Sequence, residues 1–146
     1  MTNEDLRGFA PRRILVVDDD EMSRTILGEH YADLGFDVEV VDDGASGLAA
    51  MDRQRPDIVL CDRLMPTLSG AEMLSEIRHR GEEWHAVVFF FVTGLTDRRD
   101  QHAMLDLKPD GYLHKPIDFA IADKLLAKAL AFRLTKPKPD SRLTGA

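Results

Sequence analysis

Apolar residues in this chain fall into short runs that stop on polar groups. Ile14-Leu15-Val16-Val17 ends on Asp18-Asp19-Asp20, and Ile58-Val59-Leu60-Cys61 ends on Asp62. Val87 to Val92 closes on Thr93-Gly94, and Tyr112-Leu113-His114 closes on Lys115-Pro116. Between the runs, apolar positions recur at helical spacing. The alternation predicts strands over 13–17, 37–41, 57–61, 86–92 and 110–114, and helices over 21–34, 44–54, 69–80, 96–106 and 118–133. Asp42-Asp43-Gly44 punctuates the second strand and second helix.

Within the strands expected over 13–17, 57–61 and 86–92, the runs 14–17, 58–61 and 86–92 are continuously apolar, as expected when helices cover both faces of a parallel sheet. The fold class is therefore α/β, a five-stranded parallel sheet built from βα units. Leu27, Tyr31 and Leu34, then Leu48 and Met51, then Met73, Leu74 and Ile77, then Ile121, Leu125 and Ala129 are the expected core stripes of their helices. The helix over 96–106 carries Asp97-Arg98-Arg99-Asp100-Gln101-His102 and little to bury, so it should be held loosely. Residues 1–11 read as a flexible N-terminal segment and 12–134 as one domain. Residues 135–146 read as a Lys/Pro-containing tail or truncated linker, since Pro137 and Pro139 cannot continue a helix.

At 146 residues the chain is long enough for one real core. Its net charge of −7, with 26 acidic against 19 basic residues, argues against direct nucleic-acid binding. The arginine pairs Arg12-Arg13, Arg53/Arg55, Arg78/Arg80 and Arg98-Arg99 are scattered and read as solvated surface. Cys61 lies inside an apolar run and reads as a small buried side chain. The start has no apolar signal region and the longest apolar run, Ala86 to Val92, is too short to cross a bilayer, so a cytoplasmic protein without a membrane segment is expected.

In a parallel sheet the carboxyl ends of the strands share one edge. That edge would gather Asp18, Asp19, Asp62, Thr93 and Lys115. Like-charged carboxylates at ~4 Å repel by about 1 to 4 kcal/mol, so a cation is called for. With oxygen ligands alone, Mg²⁺ is favoured, with Mn²⁺ as a substitute, over Zn²⁺. His30, His79, His85, His102 and His114 show no metal-ligand spacing; His114 stands out only because it precedes Lys115. Lys115 would neutralise an anion beside the metal, and Thr93 could donate to a phosphoryl oxygen. A carboxylate can itself be the nucleophile and form an aspartyl-phosphate.

On these residues the chain resembles the receiver domain of bacterial response regulators, the CheY-like phosphoacceptors of two-component signalling. The matching stretches are Ile14 to Asp20, Pro56 to Asp62, Met65-Pro66 with Gly70, Val92-Thr93-Gly94, and Gly111 to Pro116, within residues 12–134. The resemblance implies a flavodoxin-like (βα)5 fold with strand order 2-1-3-4-5. It implies Asp62 as phosphoacceptor and Asp18, Asp19, Asp62 and the Leu64 backbone carbonyl as Mg²⁺ ligands. Thr93 and Lys115 then bind the phosphoryl group beside a cis bond to Pro116. Thr93 and Tyr112 form the switch that remodels the surface made by the 96–106 helix, the last strand and the last helix. The implied partners are a sensor histidine kinase or phosphotransfer protein upstream, and a protein partner or a missing output domain downstream. Homodimerisation through that switched surface is also implied.

By the same resemblance the protein is not an enzyme in the ordinary sense, catalysing only its own phosphorylation and slow dephosphorylation. Apolar Leu64 and Leu95, two positions after Asp62 and Thr93, cannot orient a water and predict that slowness. Two departures from the family pattern stand out. Leu107-Lys108-Pro109-Asp110 replaces the usual small residues and predicts a loop of its own geometry, and Arg63 puts a bulky cation at the rim.

The rival of another class is a haloacid-dehalogenase-type phosphohydrolase with Asp18 as nucleophile of an Asp-x-Asp pair. It leaves Asp62 and Met65-Pro66 unexplained, and no acidic pair follows Lys115 at a strand end. Flavin binding fits less well, because the acidic turn after the first strand would repel a phosphate. Within the receiver reading, a stand-alone regulator, a phosphorelay shuttle and a piece of a longer protein all remain open. Met22, Arg24 and Thr25 on the first helix are candidate determinants of kinase choice.

Overall fold

Alternate residues of each central strand point to opposite faces, and both faces are dry. A computed structural model describes residues 6–63, 65, 68–94 and 108–135. Its elements are β1 (Arg13–Val17), α1 (Glu21–Asp33), β2 (Asp37–Val41), α2 (Gly44–Arg53), β3 (Ile58–Asp62), α3 (Gly70–Arg78), a 3-10 turn at Glu82–Trp84, β4 (Val88–Thr93), β5 (Gly111–His114) and α4 (Phe119–Thr135). The five strands are parallel in the order β2-β1-β3-β4-β5. Ile14, Val16, Ile58, Leu60, Phe90 and Val92 join Leu27 and Tyr31 of α1 and Leu126 and Leu130 of α4 in one core. Leu15, Val17, Val59, Cys61, Phe89 and Phe91 join Met51 of α2 and Met73, Leu74 and Ile77 of α3 in the other. The α/β class, the parallel sheet and helices on both faces follow as expected.

Several expectations are corrected. Part of the segment expected to be flexible contributes to the core: Leu6 is fully buried, and Phe9 and Ala10 pack against the same core as Tyr31. The stripe assigned to the last helix is out of phase, for Ile121 is 57% and Leu125 38% exposed while Ala122, Asp123, Leu126 and Leu130 are buried. This helix is apolar nearly all round, so periodicity does not select its face. The selection comes from Asp123, a buried carboxylate 2.8 Å from His30 Nε2 on α1. The fourth strand begins at Val88 and not at 86, because Val87 still donates its N–H to the Trp84 carbonyl and belongs to the preceding turn.

Three of the arginines expected at the solvated surface are largely buried, while Arg53 and Arg55 are exposed as expected and Arg98 and Arg99 lie outside the described residues. The Arg13, Arg78 and Arg80 side chains are 15%, 18% and 17% exposed, and each is ion-paired. Arg78 and Arg133 clamp Asp110 at 3.1 and 2.8 Å, and Asp110 also accepts the Phe89 N–H. The departure noted at 107–110 thus has a structural use, tying the start of β5 to α3 and α4, with Lys108 turning the chain at φ 55°. The helix expected over 96–106, with Leu95, and the tail from 136 lie outside the described residues, as do Leu64 and Pro66.

Candidate functional site at the carboxyl edge of the sheet

Each side chain of the predicted site is delivered by a strand end and locked by backbone contacts. Asp18 extends β1, its N–H donating to the Val41 carbonyl at 3.1 Å. Its Oδ1 accepts the Asp20 N–H at 2.9 Å, and Arg24 Nη1 donates to its carbonyl at 2.8 Å. Asp62 is the last residue of β3, in register with Val92. The start of the next helix lies close to it, for the Gly70 N–H donates to the Arg63 carbonyl, and a Cβ on Gly70 would stand 2.6 Å from the Asp62 carbonyl oxygen. A reciprocal Ser69/Glu72 capping box then starts α3. Thr93 ends β4, and its carbonyl accepts the Lys115 N–H at 2.7 Å, just before the cis bond to Pro116.

Carboxylate oxygens of Asp18, Asp19 and Asp62 lie within 4.8 Å of one another, with Asp18 buried, Asp62 half-buried and Asp19 exposed. The Lys115 ammonium is 3.0 Å from Asp18 and 3.8 Å from Asp62. Burial and then the neighbouring Asp18 charge push the Asp62 carboxyl up to about 7, with Lys115 opposing them. Burial would by itself lower Lys115, but its hydrogen bond to Asp18 and the surrounding carboxylates outweigh that and raise it. The serine hydroxyl of Ser23 holds Asp20 below the ordinary carboxylate range. One lysine therefore leaves the cluster under-compensated, and an all-oxygen donor set with surplus negative charge fits a hard divalent cation such as Mg²⁺.

The edge brings together Asp18, Asp19, Asp62 and Lys115, with Thr93 buried one residue past the end of the β3–β4 ladder. Tyr112 is half-buried and stacks on Phe91, ring centroids 5.7 Å apart, and burial raises its phenol. Burial also pushes the Cys61 thiol well up, in keeping with a structural cysteine. The Leu64 carbonyl and Leu95 belong to the residues not described. One contact was not anticipated: His114 Nδ1 lies 3.3 Å from Thr93 Oγ1. Its signal in the sequence was the histidine directly before Lys115, with register as the missing information.

The model of the response regulator receiver domain family matches residues 14–129. The response regulator MprA of Mycobacterium leprae (strain TN) is 37% identical over 128 residues, covering 88% of this chain and 53% of the relative. MprA of Mycobacterium sp. (strain KMS) is 36% identical over 133 residues, covering 90% and 56%. The chain thus spans about half the length of the curated relatives it matches. Among solved structures, the receiver domain of a sensor histidine kinase from Pseudomonas aeruginosa PAO1, with a magnesium ion coordinated in its active-site cleft, aligns with a TM-score of 0.74 at 29% identity over 84% of this chain and 99% of that one. The signal receiver domain of a modulated diguanylate cyclase from Desulfovibrio desulfuricans G20 shares the fold with a TM-score of 0.77 at 23% identity, over 86% and 98%. The hydrolase alternative finds no support in these relatives. With the family model spanning both the carboxylate cluster and Lys115, the chain belongs to the response regulator receiver domains, the phosphoacceptor modules of two-component signalling.

Proposed function

We propose that Asp62 accepts a phosphoryl group from a phosphohistidine on a sensor histidine kinase or phosphotransfer protein, with Mg²⁺ bound by Asp18, Asp19 and Asp62. The observation that carries this is the carboxylate cluster with Lys115 beside it, in which Asp62 is the member at a strand end that is neither sealed in nor fully solvated. Asp18 is an unsuitable nucleophile, because it is 1% exposed and engaged by Lys115 and the Asp20 N–H. An Asp62 oxygen attacks phosphorus, the donor's N–P bond breaks as the O–P bond forms, and the donor imidazole leaves with its electron pair. When bound, the cation supplies charge neutralisation between the carboxylates and the transferring group. Lys115 lies close enough to Asp62 to neutralise a phosphoryl oxygen, and Thr93 supplies a hydroxyl donor. Mn²⁺ meets the same oxygen set, and the Leu64 carbonyl is the further ligand that the resemblance supplies.

The switch we assign is Thr93 moving to the phosphoryl group with Tyr112 following. The surface it would remodel is that of β5 and α4, together with the 96–106 helix that the resemblance implies, for control of a downstream protein, an output domain or a second copy of the chain. No helix of the described residues is long and apolar enough to cross a membrane, and a cytoplasmic setting goes with this chemistry. Intact-mass measurement with acetyl phosphate tests the reading. A Mg²⁺-dependent phosphoryl adduct absent in Asp62→Asn is expected. An adduct that survives in Asp62→Asn and disappears in Asp18→Asn would overturn it in favour of the hydrolase chemistry.

A further inference from the structure

Thr93 is 1% exposed, and its hydroxyl makes one side-chain hydrogen bond among the described residues, to Nδ1 of His114 at 3.3 Å. The contact is fixed by the sheet, since Thr93 and His114 are register partners on the parallel strands β4 and β5. It is reinforced by the Lys115 N–H, which donates to the Thr93 carbonyl at 2.7 Å and holds the two strand ends together. His114 is itself exposed, so its ring keeps access to water. A neutral imidazole carries one N–H; with that proton on the nitrogen that water solvates, Nδ1 is a bare acceptor and the Thr93 hydroxyl is the donor. A threonine has a single hydroxyl proton. While Thr93 gives it to His114, it cannot give it to an oxygen on Asp62.

We propose that His114 is a positioning residue that latches the Thr93 hydroxyl away from the phosphoryl site, so that phosphorylation of Asp62 must break the Thr93–His114 hydrogen bond. This rests on the assignment of Asp62 and Thr93 given above and sets how readily the switch is thrown. The latch opposes capture of the phosphoryl group by the worth of one neutral hydrogen bond, about three- to tenfold in an equilibrium constant. A residue without an acceptor at that position removes the opposition. Asparagine, whose amide oxygen can stand where Nδ1 stands, restores it.

The probe is beryllofluoride with Mg²⁺, a phosphoryl analogue whose binding is read by amide NMR titration of the full chain. His114→Val is expected to bind it about three- to tenfold more tightly than wild type, and His114→Asn about as wild type does. In a Thr93→Ala background, His114→Val should change nothing. The imidazole ¹⁵N shift of Nδ1 in wild type should move on binding as its hydrogen bond is lost. Unchanged or weaker binding in His114→Val, or an equal effect of that change with and without Thr93, would overturn the latch while leaving Asp62 chemistry intact. Failure of wild type to bind the probe, with no acetyl-phosphate adduct at Asp62, would overturn the site assignment and the latch together. Thermal melts of each variant separate a folding defect from either result.

Discussion

Lys115 and Asp18 form a 3.0 Å ion pair in which the carboxylate is 1% and the ammonium 24% exposed. A divalent cation bound to Asp18 would therefore share that carboxylate with a lysine a few ångströms away. Their repulsion, about 2 kcal/mol for a divalent and a single charge at ~4 Å even in a water-like medium, predicts that Lys115→Ala binds Mg²⁺ about ten- to thirtyfold more tightly. The same variant should be phosphorylated by acetyl phosphate at least about tenfold more slowly, because it lacks the cation beside the proposed acceptor Asp62. Isothermal titration with Mg²⁺ and a phosphorylation time course check the two halves. Weaker Mg²⁺ binding in Lys115→Ala would show the lysine supporting the cation site instead of competing with it.

Asp62 supplies a pH signature. Its folded value of about 7 stands above the ordinary 3.8, raised first by burial and then by Asp18. A carboxyl raised on folding gives its full stability below its unfolded value and loses it as pH rises through the folded value. Without divalent cations, wild type should lose thermal stability between about pH 4 and pH 8, and Asp62→Asn should show a flatter profile. At pH 8 the variant should melt a few degrees higher than wild type, at pH 4 at nearly the same temperature. Adding Mg²⁺ at pH 8 should raise wild type more than Asp62→Asn. Parallel melting profiles for the two proteins would count against strain at this carboxylate.

The site was legible because each of its groups ends an apolar run, and parallel strands bring such ends to one edge by topology alone. Asp18, Asp62, Thr93 and Lys115 needed no knowledge of side-chain packing. What escaped the sequence depends on which faces meet. His114 meets Thr93 only because β4 and β5 pair in that register. Arg78 and Arg133 are 55 positions apart along the chain, and nothing local marks their convergence on Asp110. Leu6, ahead of the first strand in a polar-looking segment, is claimed by the core beside Tyr31 and Phe36, which exists only after α1 has docked.

Gly70 couples α3 to the end of β3 by contact. A Cβ there would lie 2.6 Å from the Asp62 carbonyl oxygen and 2.9 Å from the Phe91 ring. Backbone and a packed core ring leave no flexible end to yield, so α3 must retreat from β3. Gly70→Ala should cost about 1 to 3 kcal/mol of stability. It should also slow phosphorylation of Asp62, whereas Gly81→Asn, at an exposed turn with φ 113° and open space for a Cβ, should leave the phosphorylation rate unchanged. Urea denaturation and the adduct time course measure both. A Gly70→Ala protein with wild-type stability and rate would mean that the strand end does not depend on this approach.

The buried pair between α1 and α4 gives an asymmetric prediction. Asp123 is fully buried and lies 2.8 Å from His30 Nε2, while His30 stacks on Phe119 at 3.8 Å between ring centroids. Tyr31 shares the pocket, its phenol pushed up by burial and then by the Asp123 charge. Removing His30 leaves the carboxylate in a dry interface without its imidazole partner, at a cost of about 3 to 5 kcal/mol. Removing Asp123 leaves an imidazole that, being 20% exposed, can turn to water, so the loss is smaller, about 1 to 3 kcal/mol. His30→Leu should therefore destabilise more than Asp123→Leu, and the double variant should be more stable than His30→Leu alone. Urea melts of the three variants complete a double-mutant cycle. Equal single losses that simply add would show that helix packing around Phe119, and not the His30–Asp123 pair, holds α4 in its observed phase.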